Sequence, residues 1–165
     1  MRAHLRIELK TADGAVVAVR QAHNSVMRAG AELIANLFAG KGTPISHMGV
    51  GTSDVPETDA YSTTALANDP GAPLAGSTEV LIPAEAFFPA EIDTVKRIVR
   101  VRVRASLPAT SAVGTVREAG LLARSGEQSV LYNRVTFAPI TKGDDHELTL
   151  FWEVSFPYGD LQWLM

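Results

Sequence analysis

A chain of 165 residues, 46% of them apolar, is long enough for one ordinary core and cramped for two, so a single domain is expected. The net charge of −3, with acidic and basic residues nearly balanced, excludes a broad basic field of the kind that holds nucleic acid. The lack of cysteine removes disulfides, thiolate metal sites and a cysteine nucleophile together.

Residues 1–8 lack the apolar stretch of a signal peptide and no run approaches membrane-spanning length, so the expectation is a soluble, unexported chain with no membrane partner. Residues 4–10 alternate, with Leu5, Ile7 and Leu9 on one face and His4, Arg6, Glu8 and Lys10 on the other, as a half-buried strand does. Asp13-Gly14 and then Val16, Val17 and Val19 complete a β-hairpin. Asn24-Ser25 offers an N-cap. Val26, Gly30, Leu33, Ile34, Leu37 and Phe38 recur at helical spacing until Gly40, which predicts one amphipathic helix over about 25–39, laid on the open face of a sheet.

Residues 45–51 read as a short strand. Residues 52–78 are crowded with Ser, Thr, Ala, Asp, Pro and Gly and hold little to bury; a loop this long is commonly functional, and ordering against a neighbour is expected of it. Strands follow at 80–82, 98–107, 114–123, 129–137 and 147–156, and Ser125-Gly126 and Lys142-Gly143-Asp144-Asp145 supply hairpin turns between the last three. Val99, Val101, Val103 and Ala105 face one way against Arg100, Arg102, Arg104 and Ser106. Leu148, Leu150, Trp152, Val154 and Phe156 oppose Glu147, Thr149, Phe151, Glu153 and Ser155 in the same manner. Ile98 interrupts the first alternation and suggests a bulge near Arg97.

The fold class is therefore mainly β, an antiparallel β-sandwich or meander of seven to eight strands with one amphipathic helix. One β-rich domain spans residues 1–156, with the long loop 52–78, and an apolar tail occupies residues 157–165. Tyr158, Leu161, Trp163, Leu164 and Met165 place five large apolar side chains on a terminus that would ordinarily fray, and mark it as a partner-binding segment.

Few residues suggest chemistry. His4, His23, His47 and His146 sit in different elements without the close helical pairing that zinc enzymes use, and read as surface or turn histidines. Gly40-Lys41-Gly42-Thr43 follows a helix where a phosphate loop precedes one, so it reads as a helix stop. Asp54, Glu57 and Asp59 put three carboxylates on one loop, a weak candidate set for a hard cation, but their spacing matches no calcium loop; no metal or cofactor is expected. Arg97, Arg100, Arg102 and Arg104 form the most basic stretch and are expected to pair across the sheet with Glu118, Glu147 and Glu153 rather than to meet nucleic acid. No serine stands in a Gly-x-Ser-x-Gly turn, and nothing compels an enzyme.

Four features occur in a suggestive order: a helix over 24–40; Ile45-Ser46-His47-Met48-Gly49-Val50-Gly51-Thr52 with Pro56 and a later Thr64-Ala65-Leu66; Leu81-Ile82-Pro83; and Arg117-Glu118-Ala119-Gly120-Leu121-Leu122. In this the chain resembles the N-terminal attachment module of phage tail fibres, the tail-collar or baseplate-docking family, and related small tail proteins of phages and prophages. The resemblance spans roughly residues 24–137 and rests on Gly49, Gly51, Thr52, Leu66, Pro83, Arg117, Glu118, Gly120 and Leu121. It implies a non-enzymatic virion structural protein, assembled in the bacterial host cytoplasm, a homo-oligomer packed against other phage tail or baseplate proteins. The shaft that follows this module in such fibres has no counterpart here, which puts receptor binding in doubt. The alternative is a carbohydrate- or receptor-binding β-sandwich at a tail tip, for which Tyr61, Phe87, Phe88, Tyr132 and Phe151 are the candidate aromatic platforms.

Overall fold

The computed structural model describes residues 2–57 and 61–159. Among these the chain forms β1 (Arg2–Lys10), β2 (Val16–His23), β3 (Ser25–Val26), α1 (Arg28–Phe38), β4 (His47–Gly51), β5 (Glu79–Leu81), β6 (Glu91–Asp93), β7 (Ile98–Leu107), β8 (Gly114–Ser125), β9 (Gln128–Leu131), β10 (Asn133–Lys142) and β11 (Glu147–Pro157). One antiparallel sheet has the order β2-β1-β11-β7-β6. The other runs β3-β10-β8-β4-β5, with β9 also paired to β8.

The mainly β, sandwich-like class matches the sequence reading. Eleven strands stand where seven or eight were expected, because β3 and β6 are edge pieces of two and three residues and the run over 129–137 breaks at Tyr132 into β9 and β10. The alternations hold. Trp152 lies opposite Leu5 on one side and Val103 on the other, and all three are buried. Their sheet meets Met48, Val50, Ala119, Leu121 and Val135 of the second sheet in one continuous core.

Four local expectations are corrected. The helix begins at Arg28, not Ser25. The Asn24 side chain is spent on the Ala3 N–H at 2.8 Å, and the Asn24 N–H on the Ala3 carbonyl, so Ser25 and Val26 extend into β3 before the helix can start. Phe38 lies outside the buried stripe and is 96% exposed. Residues 143–146 do not close a hairpin but carry the chain from β10 in one sheet to β11 in the other. Arg97 is no bulge: β7 pairs without a register shift from Ile98 onward, and Arg97, at φ 55°, is the left-handed last residue of the turn that joins β6 to it.

Of the arginine ladder, Arg100 and Arg102 are paired across the sheet, with Glu153 as expected but with Glu91 in place of Glu118 and Glu147. Arg100 and Arg102 share Glu153 and Glu91, and Arg100 also approaches Asp93, whereas Glu118 turns to Arg134 and Glu147 lies across from Lys10. Asp93 accepts the N–H groups of Val95 and Lys96, and the Lys96 bond chiefly holds its carboxyl below the usual aspartate range. In the other sheet, three residues of β10, 137 to 139, lie across from the single residue 117 of β8. Pro139 has no N–H to give a ladder there. Arg20 of β2 donates to the carbonyls of Ala138 at 2.9 Å and Pro139 at 2.8 Å, which ties the two sheets together across this bulge.

Candidate functional site

Six of the residues that carry the sequence resemblance, Gly49, Gly51, Thr52, Leu66, Glu118 and Gly120, meet on the outer face of β4 and β8. Gly49 pairs with Gly120 and Gly51 with Glu118, so three of four neighbouring positions lack side chains and a second layer of chain can lie directly on the sheet. A Cβ on Gly49 would sit 3.0 Å from Leu66 Cδ1, and one on Gly51 would meet Glu118 Oε1 at 2.4 Å and the Ala67 carbonyl oxygen at 2.6 Å. The floor accepts residues 65–67 because no side chain stands in their way. Leu66 packs there against Met27, Leu122 and Leu131.

Glu118 is the clasp. Its side chain and that of Arg134 are each 1% exposed. Arg134 Nε donates to Glu118 Oε2 at 2.5 Å, while Oε1 accepts the N–H groups of Ala67 at 2.6 Å and Ser53 at 3.3 Å. Arg134 Nη2 reaches Ser53 Oγ at 3.2 Å. One carboxylate thus holds the start and the middle of the loop together, at Ser53 and Ala67, and neutralises the guanidinium beside it, which is the condition under which a charge tolerates burial. The Nη1 atom of Arg134 is buried without a hydrogen-bond partner. A cavity of about 150 Å³ bounded by Val55, Thr63 and Ala65 adjoins the pair.

Further bonds fix the rest of the loop to its own domain. Thr52 donates its N–H to the Ala67 carbonyl and accepts the Asp69 N–H on Oγ1 at 2.9 Å. Leu74 is buried and gives its N–H to Asn68 Oδ1, and Ala75 bridges to Val113. Glu57 caps the N–H and hydroxyl of Thr136. The described parts of 52–78 are therefore ordered by intramolecular partners, where a neighbour was expected to do it.

This bonding also accounts for the carboxylate set. Glu57 is engaged with Thr136, Asp54 is exposed, and Asp59 lies outside the described residues. Among the described residues no group of three His, Asp or Glu side chains is placed to hold a metal ion. The histidines are dispersed: His4 and His23 stack across β1 and β2 with ring centroids 5.2 Å apart, His47 Nδ1 meets Ser46 Oγ at 2.8 Å, and His146 Nδ1 accepts the Gly143 N–H at 3.0 Å.

Of the other motif residues, Leu121 faces the core, Arg117 lies on the β8 face away from Glu118, and Pro83 precedes a 3-10 turn over Ala84–Ala86, away from the clasp. Of the candidate aromatic platforms, Tyr132 is buried and its hydroxyl is pushed up to about 12 by that burial, so it presents no ring to a ligand. Phe87 packs on the core, whereas Tyr61 and Phe88 are about half exposed, at 51% and 48%.

Sequence reasoning passed over Arg134, although a charged residue inside the apolar run of 130–135 is a signal in itself: buried there, it needs an opposite charge, and Glu118 inside 116–122 is its counterpart. It also passed over β6 and its turn. Ile92 is 69% exposed and Val95 91%, and Tyr158 is 37% exposed. Tyr158 donates its N–H to the Arg97 carbonyl at 2.9 Å, so residue 159 stands at this same corner. Leu161, Trp163, Leu164 and Met165 lie outside the described residues. No protein-family model, curated protein or solved structure matches the chain.

Proposed function

We propose that the protein is a non-enzymatic structural subunit of a phage-like tail, a baseplate, fibre-attachment or collar component that works by being packed between copies of itself and neighbouring tail proteins. The observation that carries this reading is the apolar corner at the end of β11. Ile92, Val95 and Tyr158 are exposed about the 94–97 turn, to which Tyr158 is bonded through Arg97, where the chain continues into a segment with Leu161, Trp163, Leu164 and Met165. Exposed apolar surface marks interaction sites, and Trp and Tyr are favoured anchors in them.

The resemblance supplies the setting. Six of its nine motif residues act together here, since the glycine floor, Thr52, Leu66 and Glu118 hold a long loop on the sheet, and a preformed surface loses little entropy when bound by a neighbour. Symmetric self-association is the common arrangement of such subunits. Light scattering coupled to size exclusion is expected to show an oligomer for the full chain and a monomer for a chain ending at Gly159. Equal, monodisperse monomers for both would overturn the reading.

A further inference from the structure

We propose that His4 and His23 form a binding site for one divalent ion of the zinc class, held by two imidazoles and completed by water, on the outer face of β1 and β2. The site is remote from the clasp and does not depend on the assembly reading above.

His4 and His23 lie directly opposite one another in the antiparallel ladder of β1 and β2. Opposed residues send their side chains to the same face, with Cβ atoms about 4.5–5.5 Å apart. Ala3 and Leu5, on either side of His4, are buried in the core, so both imidazoles lie on the outer face, with His4 half-buried and His23 exposed. The ring centres stand 5.2 Å apart, with their planes tilted by 57°. A metal bonded at about 2.0–2.1 Å to one nitrogen of each ring would sit roughly 3.2 Å from each ring centre, and a tetrahedral angle between the two bonds then sets the centres about 5.2 Å apart. The observed spacing meets that requirement. Rotation about Cβ–Cγ swings each nitrogen and leaves the ring centre on the bond axis, so ligation needs no movement of the backbone.

The nitrogens of this pair are uncommitted. His47 Nδ1 is bonded to Ser46 and His146 Nδ1 to Gly143, whereas neither His4 nor His23 makes a hydrogen bond within the described residues. The neighbouring charges are balanced. Glu153 stands across from His4 and is held by Arg100 and Arg102, and Arg6, the next residue on this face of β1, is bonded to Glu8. Arg2 is exposed, where water and salt screen its charge.

Imidazole suits Zn2+, Ni2+ and Cu2+, whereas Mg2+ and Ca2+ require oxygen ligands. β2 is the edge strand of its sheet and pairs with β1 alone, so an ion between the two rings fastens the end of that strand to its neighbour. Binding to the folded chain in this way stabilises it by mass action.

The test titrates the full chain with ZnCl2 in a calorimeter, and one site per chain is expected. His4→Ala and His23→Gln should each weaken binding at least tenfold, and MgCl2 should give no binding. In NMR spectra the same titration should move the ring signals of His4 and His23 and leave those of His47 and His146 in place. Zinc should raise the Tm of the unaltered chain and of neither variant, while the Tm values measured without metal check that both variants fold. If either variant binds zinc as tightly as the unaltered chain, or if His47 or His146 responds equally, the ion lies elsewhere and the inference falls. Absence of binding up to millimolar zinc overturns it as well.

Discussion

Glu118 and Arg134 are each so buried that neither charge survives the loss of the other without cost. Removing one partner of such a pair typically destabilises by about 3–5 kcal/mol. Glu118→Ala is expected to show a loss of that size in urea denaturation, together with faster proteolysis within 52–78, because the Ser53 and Ala67 amides lose their acceptor at the same time. Two other buried groups give the molecule an alkaline signature. The Tyr132 hydroxyl, at about 12 in the folded chain against 10.0 for the free group, favours folding below pH 10 and loses that contribution as pH rises toward 12. The difference of two units corresponds to about 3 kcal/mol. Lys142, buried with its Nζ on the Ala109 carbonyl at 2.9 Å, is lowered by desolvation, against which Asp144, Asp145 and Glu147 pull upward. A lysine depressed in the folded state adds stability as pH climbs from its lowered value toward 10.5, the opposite sign. Absorbance titration near 295 nm should show one of the three tyrosines ionising late, and Tyr132→Phe should remove that phase.

At the scale of elements, α1 packs Leu33, Ile34 and Leu37 on the core and meets neighbouring backbone directly at Gly30. A Cβ on Gly30 would fall 1.9 Å from the Tyr132 carbonyl oxygen, within the break between β9 and β10. Gly30→Ala therefore cannot be absorbed by a rotamer change. It should push the helix away and destabilise by about 1–3 kcal/mol, the usual cost of overpacking, although alanine is the better helix former. The β10 bulge poses a different demand. Its carbonyls at Ala138 and Pro139 are bonded by Arg20 of the other sheet, and because both residues are exposed and water can take its place, Arg20→Ala should cost about 1 kcal/mol or less in thermal or chemical denaturation. By contrast the ion pairs of Arg102 with Glu91 and Glu153 are between side chains that are 36% exposed or more, and such pairs contribute little.

For the whole molecule, the unlike treatment of its surfaces is the main feature. Apolar residues of β1, β7 and β11 are sealed inside, yet Ile92, Val95, Leu81 and Phe38 stand in water. Alternation in the sequence determined β1, β7 and β11 and which side of each was to be buried, because a period of two fixes the face once the strand forms. The sequence also marked the residues of the clasp individually, Gly49, Gly51, Leu66, Glu118 and Gly120. It did not reveal that they meet, since Glu118 and Arg134 lie on paired strands whose register no local pattern declares, and the amides that complete the clasp belong to a loop with no periodicity to read. The same reason explains the helix start and the β10 to β11 connection: Asn24 has the chemistry of a cap and residues 142–145 the chemistry of a hairpin turn, and only distant partners determine which use prevails. Local patterns of polarity and turn chemistry sufficed for the helix, for most of the strands and for the inward faces of β1, β7 and β11. The bonding of the long loop, the exposure of the β6 edge and the corner at which the apolar tail begins were decided by tertiary packing, because each depends on which strands lie side by side.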